Sequence, residues 1–239
     1  MPLHIGNGLT RSLTGAAFAS VALLAATASA SVLPWNTNLT IELDGNTIYN
    51  NVEVGSDIGP DLYQFTGGTA GLGYDITWDY TANPDPGSLD GAYIGNGFTF
   101  MNESASTQVY RVWLTLPLEA GAAAPVNYGG SAGFGLTGID GTLSSLTGSP
   151  MWSGQIDGVT VSTLFDDPTS ISFVGPGSDD LSDSTFGGNG PVLNTIGIVL
   201  EFSLSAGDTV TTTGVFGVIP APSALAIFAV GLFGRRRRN

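Results

Sequence analysis

With 239 residues, 42% hydrophobic and 11% charged, the chain is long enough for one large domain, and its 35 glycines favour an all-β protein over a helical or disordered one. All 20 acidic residues lie between Glu42 and Asp208, where Arg111 is the only basic residue, and this acidic character excludes nucleic acid as a partner because phosphate binding needs a basic surface. Cysteine and lysine are absent and the one histidine is His4, which excludes disulfides, thiolate nucleophiles and Schiff-base lysines.

The first 30 residues have the composition of an export signal. Arg11 supplies positive charge, residues 16–26 form an apolar run, and Ala28-Ser29-Ala30 is a small-residue cleavage site. We predict a helical signal peptide over residues 1–30, which signal peptidase removes after Ala30. The mature protein is therefore expected to be secreted.

Alternation of apolar and polar residues is the dominant pattern between residues 31 and 218. In residues 73–80 the apolar side chains fall on one face, and in residues 195–204 all of them except Val199 do, which is typical of half-buried strands. The Gly207-Asp208 turn predicts a hairpin between residues 195–204 and 209–218. Further strands are predicted at residues 39–43, 47–54, 62–66, 97–101, 108–116, 151–156, 159–165 and 170–174. This pattern predicts one all-β domain over residues 31–218, an antiparallel two-sheet β-sandwich that is jelly-roll-like.

Two segments within the domain lack this alternation. Residues 119–135 are rich in Ala and Gly, and residues 175–191 are rich in Gly, Ser and Asp. Both are long for connections between strands, so we expect each to be either a functional loop or an ill-ordered one.

The last 21 residues, 219–239, differ sharply from the domain. The proline motif Pro220-Ala221-Pro222 precedes an apolar run at residues 223–234, and the arginines Arg235, Arg236, Arg237 and Arg238 follow. As a helix, twelve residues rise about 18 Å, well short of a hydrocarbon core of roughly 30 Å. The arginines favour the cytoplasmic side. We predict a short apolar helix that is held in the membrane transiently, and the alternative is an ordinary tail anchor.

This order of parts resembles the PEP-CTERM sorting tail of exported bacterial proteins, with Ala221 where that family has Glu. The resemblance covers the tail and the expected leader. It implies export, transient retention in the inner membrane through Arg235 to Arg238, and cleavage near Pro220 to Pro222 by an exosortase. It also implies a final location at the cell surface or in an extracellular exopolysaccharide matrix, and it implies nothing about the β domain.

Acidic clusters in the domain are candidate Ca²⁺ sites, because this cation takes six to eight oxygen ligands. The candidate ligands are Asp85, Asp90, Asp179, Asp180 and Asp183. None of these clusters matches the EF-hand loop or a nonapeptide calcium repeat. The competing interpretation is that the residues belong to solvated turns. Apart from Ca²⁺, no cofactor is expected.

Trp113 is the best candidate for an exposed aromatic residue. In residues 108–116 it shares a face with Arg111, whereas Tyr110, Val112 and Leu114 take the other face. Trp113 and Arg111 are therefore candidate glycan contacts, although Arg111 is also suited to a structural ion pair. Trp78 alternates with apolar residues and is expected in the core.

Together these features predict an exported, non-enzymatic, acidic protein of the cell surface or exopolysaccharide matrix, with exopolysaccharide as a candidate partner. The first alternative is a carbohydrate-binding, lectin-like module. The second is a polysaccharide hydrolase that uses two carboxylates roughly 5 to 9.5 Å apart. Acidic residues are too widely scattered to select such a pair, so no catalytic residue is assigned.

Overall fold

The computed structural model describes residues 35–88 and 90–220. The predicted signal peptide with Ala30, the apolar tail helix, Ala221, Pro222 and the arginines Arg235 to Arg238 lie outside the described residues. Within the described ranges, no helix has the length and apolar character needed to cross a membrane.

Fifteen strands make up this part of the chain. In chain order they are β1 Asn36–Leu43, β2 Asn46–Val54, β3 Ser56–Gly59, β4 Leu62–Gly71, β5 Tyr74–Asn83, β6 Ala92–Asn102, β7 Gln108–Pro117, β8 Ala122–Ile139, β9 Thr142–Ser145, β10 Trp152–Ile156, β11 Val159–Leu164, β12 Ser170–Ser172, β13 Pro176–Val192, β14 Thr195–Leu204 and β15 Thr209–Pro220.

The strands form two antiparallel sheets. Sheet A has the order β11-β10-β14-β7-β1-β2, with β9 beside β14 and β12 beside β9. Sheet B has the order β13-β8-β15-β6-β5-β4-β3. From β6 onward the chain passes repeatedly from one sheet to the other. The predicted antiparallel two-sheet β-sandwich is confirmed.

Aromatic rings from both sheets meet in the core. Phe202 on β14 lies edge-to-face with Phe100 on β6 at 5.1 Å between ring centroids, and with Phe134 on β8 at 5.9 Å. Tyr110 on β7 stacks on Phe202 at 5.5 Å. Each ring occupies an inward position of its strand, so the period-2 pattern of the sequence builds the core directly. Trp78 also lies in this core, as predicted.

The predicted hairpin between β14 and β15 is wrong. β14 pairs with β7, β10 and β9 in sheet A, whereas β15 pairs with β6 and β8 in sheet B. The turn at Gly207 therefore leads from one sheet into the other. Buried Asp208 holds this corner, because its carboxylate accepts hydrogen bonds from the main-chain amide of Ile139 at 3.1 Å and from the Ser205 hydroxyl. These contacts depend on tertiary structure, which local turn chemistry does not specify.

The expectation of two long loops is also wrong. Residues 122–139 and 176–192 form β8 and β13, which pair with each other along nearly their whole length. Glycine and serine at the outward positions conceal the alternation, but Phe134 and Leu136 still point into the core. These two strands form one end of sheet B.

The last strand passes the predicted domain boundary at residue 218. β15 continues through Ile219 to Pro220, and Pro220 lies opposite Val126 of β8. The first residue of the proline motif therefore ends a strand of sheet B.

Candidate functional site

The outer face of sheet B carries mostly small polar side chains. Thr77 on β5, Thr99 on β6 and Thr211 on β15 lie side by side in neighbouring strands. Further along β15, Thr213 and Val215 continue the same outward column. This column forms a ridge along β15, because glycines occupy most of the outward positions on both sides of it.

The β6 trough is the groove on one side of this ridge. Its floor includes Gly97, with a wall on β5 and a wall on β15, and its volume is about 570 Å³. The outward side chains that line it are those of Thr66, Thr77, Asp79, Thr99, Thr211 and Thr213.

The β8 trough is the groove on the other side. Gly133 lies on its floor, and its volume is about 670 Å³. Its lining side chains are those of Ser131, Ser182, Ser184, Thr213 and Val215. Thr213 thus belongs to both troughs.

The floor glycines differ in what a larger residue would meet. A Cβ on Gly97 would lie 2.6 Å from the main-chain oxygen of Asp79, so a side chain there would displace the backbone. A Cβ on Gly133 would lie 3.3 Å from the Thr213 hydroxyl oxygen and 3.7 Å from the Leu181 carbonyl oxygen. The β8 trough therefore accepts a larger floor residue more readily than the β6 trough.

An aromatic residue lies beyond the same end of each trough: Phe186 is one outward position past the lining of the β8 trough, and Tyr93 is two outward positions past Gly97 of the β6 trough. One row of paired residues crosses four neighbouring strands. Tyr93 on β6 pairs with Gly217 on β15, and Gly217 pairs with Gly129 on β8. Gly129 pairs with Phe186 on β13. Phe186 is 74% exposed, and it lies over Gly129, where a Cβ would come within 2.9 Å of its ring. Three strand spacings separate the two aromatic residues by about 14 Å. Burial and the nearby carboxylate of Asp90 raise the pKa of Tyr93, so its hydroxyl stays protonated at neutral pH.

Hydroxyl groups along the troughs are available to a ligand. Among the described residues, none donates to or accepts from the side-chain hydroxyls of Thr77, Thr99, Thr213, Ser182 or Ser184. Each hydroxyl can donate one hydrogen bond and accept others. On the β5 wall, Asp79 accepts a hydrogen bond from the Gln64 side-chain amide at 2.8 Å, which leaves its second oxygen open to the trough.

The two residues selected from the sequence as glycan contacts lie on the opposite side of the sandwich. Trp113 is half-buried on the outer face of sheet A, between Thr40 of β1 and Val199 of β14. Arg111 pairs with Glu201, with the side-chain Nε 3.0 Å from a carboxylate oxygen, and both side chains are partly buried. The structure therefore favours the ion-pair role of Arg111.

The candidate calcium ligands do not converge within the described residues, where no group of three acidic side chains is suitably placed for a metal ion. Asp85 belongs to a turn and accepts a hydrogen bond from the Gly87 amide at 2.7 Å. Asp179 and Asp183 accept from the amides of the residues that follow them. Asp180 lies on the other face of β13 from Asp179 and Asp183. Asp90 lies near Tyr93.

Sequence reasoning missed Phe186, Tyr93 and both troughs. Phe186 lies in a Gly-, Ser- and Asp-rich segment, and that composition predicts a loop rather than a strand with an exposed ring. A signal was present in Thr209-Val210-Thr211-Thr212-Thr213, where threonine recurs on the outward face of a strand.

No protein-family model matches the sequence, and no curated protein matches it. One solved structure that matches is that of TmCBM61 in complex with β-1,4-galactotriose, at 11% sequence identity and a TM-score of 0.23, over 66% of this chain and 88% of that chain. A TM-score this low supports no inference about the ligand of this protein.

Proposed function

We propose that this chain is an exported, non-enzymatic protein of the cell surface or exopolysaccharide matrix, and that its β-sandwich binds polysaccharide on the outer face of sheet B. The observation that carries the proposal is the pair of open, hydroxyl-lined troughs on one face of the sandwich, with exposed Phe186 beyond the end of the β8 trough and Tyr93 beyond the same end of the β6 trough.

The chemistry of this face suits a sugar chain. A pyranose ring has an apolar C–H face and a hydroxyl-bearing edge, so it is held by an aromatic surface together with hydrogen-bonding groups. Phe186 offers an exposed ring for stacking, and hydroxyls from β13 and β15 line the adjoining trough. Binding sites commonly combine apolar surface with a few polar groups that fix orientation.

Export and processing are proposed from the two ends of the chain. Signal peptidase would cleave after Ala30, and an exosortase would act near Pro220, Ala221 and Pro222 after Arg235 to Arg238 had halted export at the inner membrane. Since Pro220 ends β15, cleavage after it would leave the strands that build the troughs intact.

The binding experiment uses the mature protein and a panel of neutral polysaccharides: galactan, glucan, mannan and xylan. We expect at least one to retard the protein in affinity electrophoresis or to bind in calorimetry. Phe186→Ala is expected to weaken that binding about tenfold, since a ring contact of about 1.4 kcal/mol corresponds to a tenfold change in affinity.

Two further variants locate the site. Gly133→Val fills the β8 trough and is expected to reduce binding, whereas Leu72→Ala removes an exposed side chain from the turn between β4 and β5 and is expected to leave binding unchanged. Unchanged melting temperatures would show that both variants fold. Loss of binding in Trp113→Ala but not in Phe186→Ala would place the site on sheet A, and absence of binding to every polymer would contradict the proposal. Released reducing sugar would support the hydrolase alternative instead.

A further inference from the structure

We infer that the troughs select neutral polysaccharides and reject polymers that carry carboxylate or sulfate groups. This inference rests on the proposed glycan-binding function and names the class of ligand for the same surface.

The first support is the sign of the charge around the troughs. Asp79 lines the β6 trough, and Asp180 is the acidic residue of β13 that faces the side of the β8 trough, because Asp179 and Asp183 take the other face of the strand. Asp180 lies opposite Gly135, so it projects from the outer face of sheet B. An anionic sugar in either trough would lie beside carboxylates of the same charge, and in the partly desolvated groove that repulsion is stronger than in bulk water.

The second support is the position of positive charge. Arg111 is the only lysine, arginine or histidine among the described residues. It lies on sheet A, on the opposite side of the sandwich, and its Nε already donates to Glu201. No cationic side chain in the described part of the chain can therefore neutralise an anionic group bound in a trough.

The same carboxylates favour a neutral ligand. The Gln64 amide occupies one oxygen of Asp79, and the other can accept a hydrogen bond from a sugar hydroxyl. Hydrogen bonds to an ionised acceptor are roughly twice as strong as those between neutral groups. Sugar hydroxyls can supply such donors, whereas carboxylate and sulfate groups on a polymer cannot.

The test compares each polymer of the neutral panel with its carboxymethylated derivative, at low ionic strength and with a chelator present. We expect the derivative to bind at least tenfold more weakly than its parent, and the difference to shrink as salt is added. Asp79→Asn and Asp180→Asn should each reduce this difference in affinity, because they remove the charge and keep the shape of the side chain. Glu119→Gln, in the connection between β7 and β8, is the matched control and should leave it unchanged.

The outcomes separate this inference from the proposed function. A derivative that binds as tightly as its neutral parent overturns the neutral selectivity and leaves glycan binding standing. A derivative that binds tightly only when Ca²⁺ replaces the chelator also overturns it, in favour of a cation bridge. Absence of binding to every parent polymer and every derivative contradicts both.

Discussion

Phe202 connects the two sheets, so its truncation should destabilise the sandwich far more than truncation of an exposed phenylalanine. Its side chain is fully buried, with Phe100 and Phe134 of sheet B on one side and Tyr110 of its own sheet on another. Replacing a core phenylalanine by alanine costs about 3–5 kcal/mol, through lost transfer energy and the cavity that remains. Since rings from both sheets line this cavity and cannot collapse into it easily, we expect Phe202→Ala to cost about 4–5 kcal/mol.

Phe186→Ala is the matched control, because it makes the same chemical change at a position that is 74% exposed. We expect its free energy of unfolding to stay within about 0.5 kcal/mol of the parent. For a domain of this size 1 kcal/mol corresponds to about 2–4 °C, so Phe202→Ala should lower the melting temperature by roughly 8–20 °C. Urea unfolding followed by tryptophan fluorescence measures the free energy of unfolding of both variants. A cost below about 1 kcal/mol for Phe202→Ala, or similar costs for the two variants, would refute this packing of the sheets.

Three further predictions concern the turns, the buried phenols and the trough floors. Burial acts to raise the pKa of Asp157, but hydrogen bonds from the amides of Leu193, Thr195 and Asn194 outweigh it and lower the pKa. The stability from Asp157 is therefore complete above its unfolded pKa near 3.8 and is lost as the pH falls through the folded value. In a plot of unfolding free energy against pH, Asp157→Asn should reduce the loss of stability at acid pH. An unchanged loss would contradict this role of Asp157. Burial raises the pKa of Tyr80 and Tyr110 far above 10.0, so stability should fall as the pH rises above that value. In a spectrophotometric titration these two phenols should ionise only on unfolding; early ionisation of all the tyrosines would argue against their burial. Gly97→Ala should lower the melting temperature more than Gly133→Ala, because only its Cβ meets a main-chain oxygen at 2.6 Å, and equal effects would contradict this difference between the floors.

Much of the fold could be predicted because apolar residues at every second position both form a strand and build the core. β5, β7 and β14 follow this rule in that their inward apolar residues are buried, although Val199 on the outward face of β14 is buried as well. β8 and β13 escaped prediction because glycine, serine and aspartate occupy most of their outward positions, and that composition is also typical of loops. β14 and β15 were wrongly predicted to pair with each other. A short turn keeps the ends of consecutive strands close together, but it does not determine which sheet the second strand joins.

The same small residues explain why the candidate site was missed. Glycines at outward positions create the troughs, so the residues that weaken the strand signal also shape the binding surface. The alternation of β7 correctly predicted the outward direction of Trp113, but outward position alone does not distinguish the two faces of a sandwich. The position of Phe186 on the outer face of sheet B depends on the pairing of β13 with β8, in which Phe186 lies opposite Gly129. This long-range pairing is not specified by the local sequence.

Amide chemical-shift mapping tests the proposed glycan-binding face most directly. Isotope-labelled mature protein would be titrated with oligosaccharides prepared from whichever neutral polymer binds best. We predict that the largest shifts occur at Gly97, Gly133, Thr213 and Phe186 on sheet B, with little change at Trp113 and Arg111 on sheet A. Shifts concentrated around Trp113, or no shifts with any oligosaccharide, would contradict the assignment of glycan binding to the troughs of sheet B.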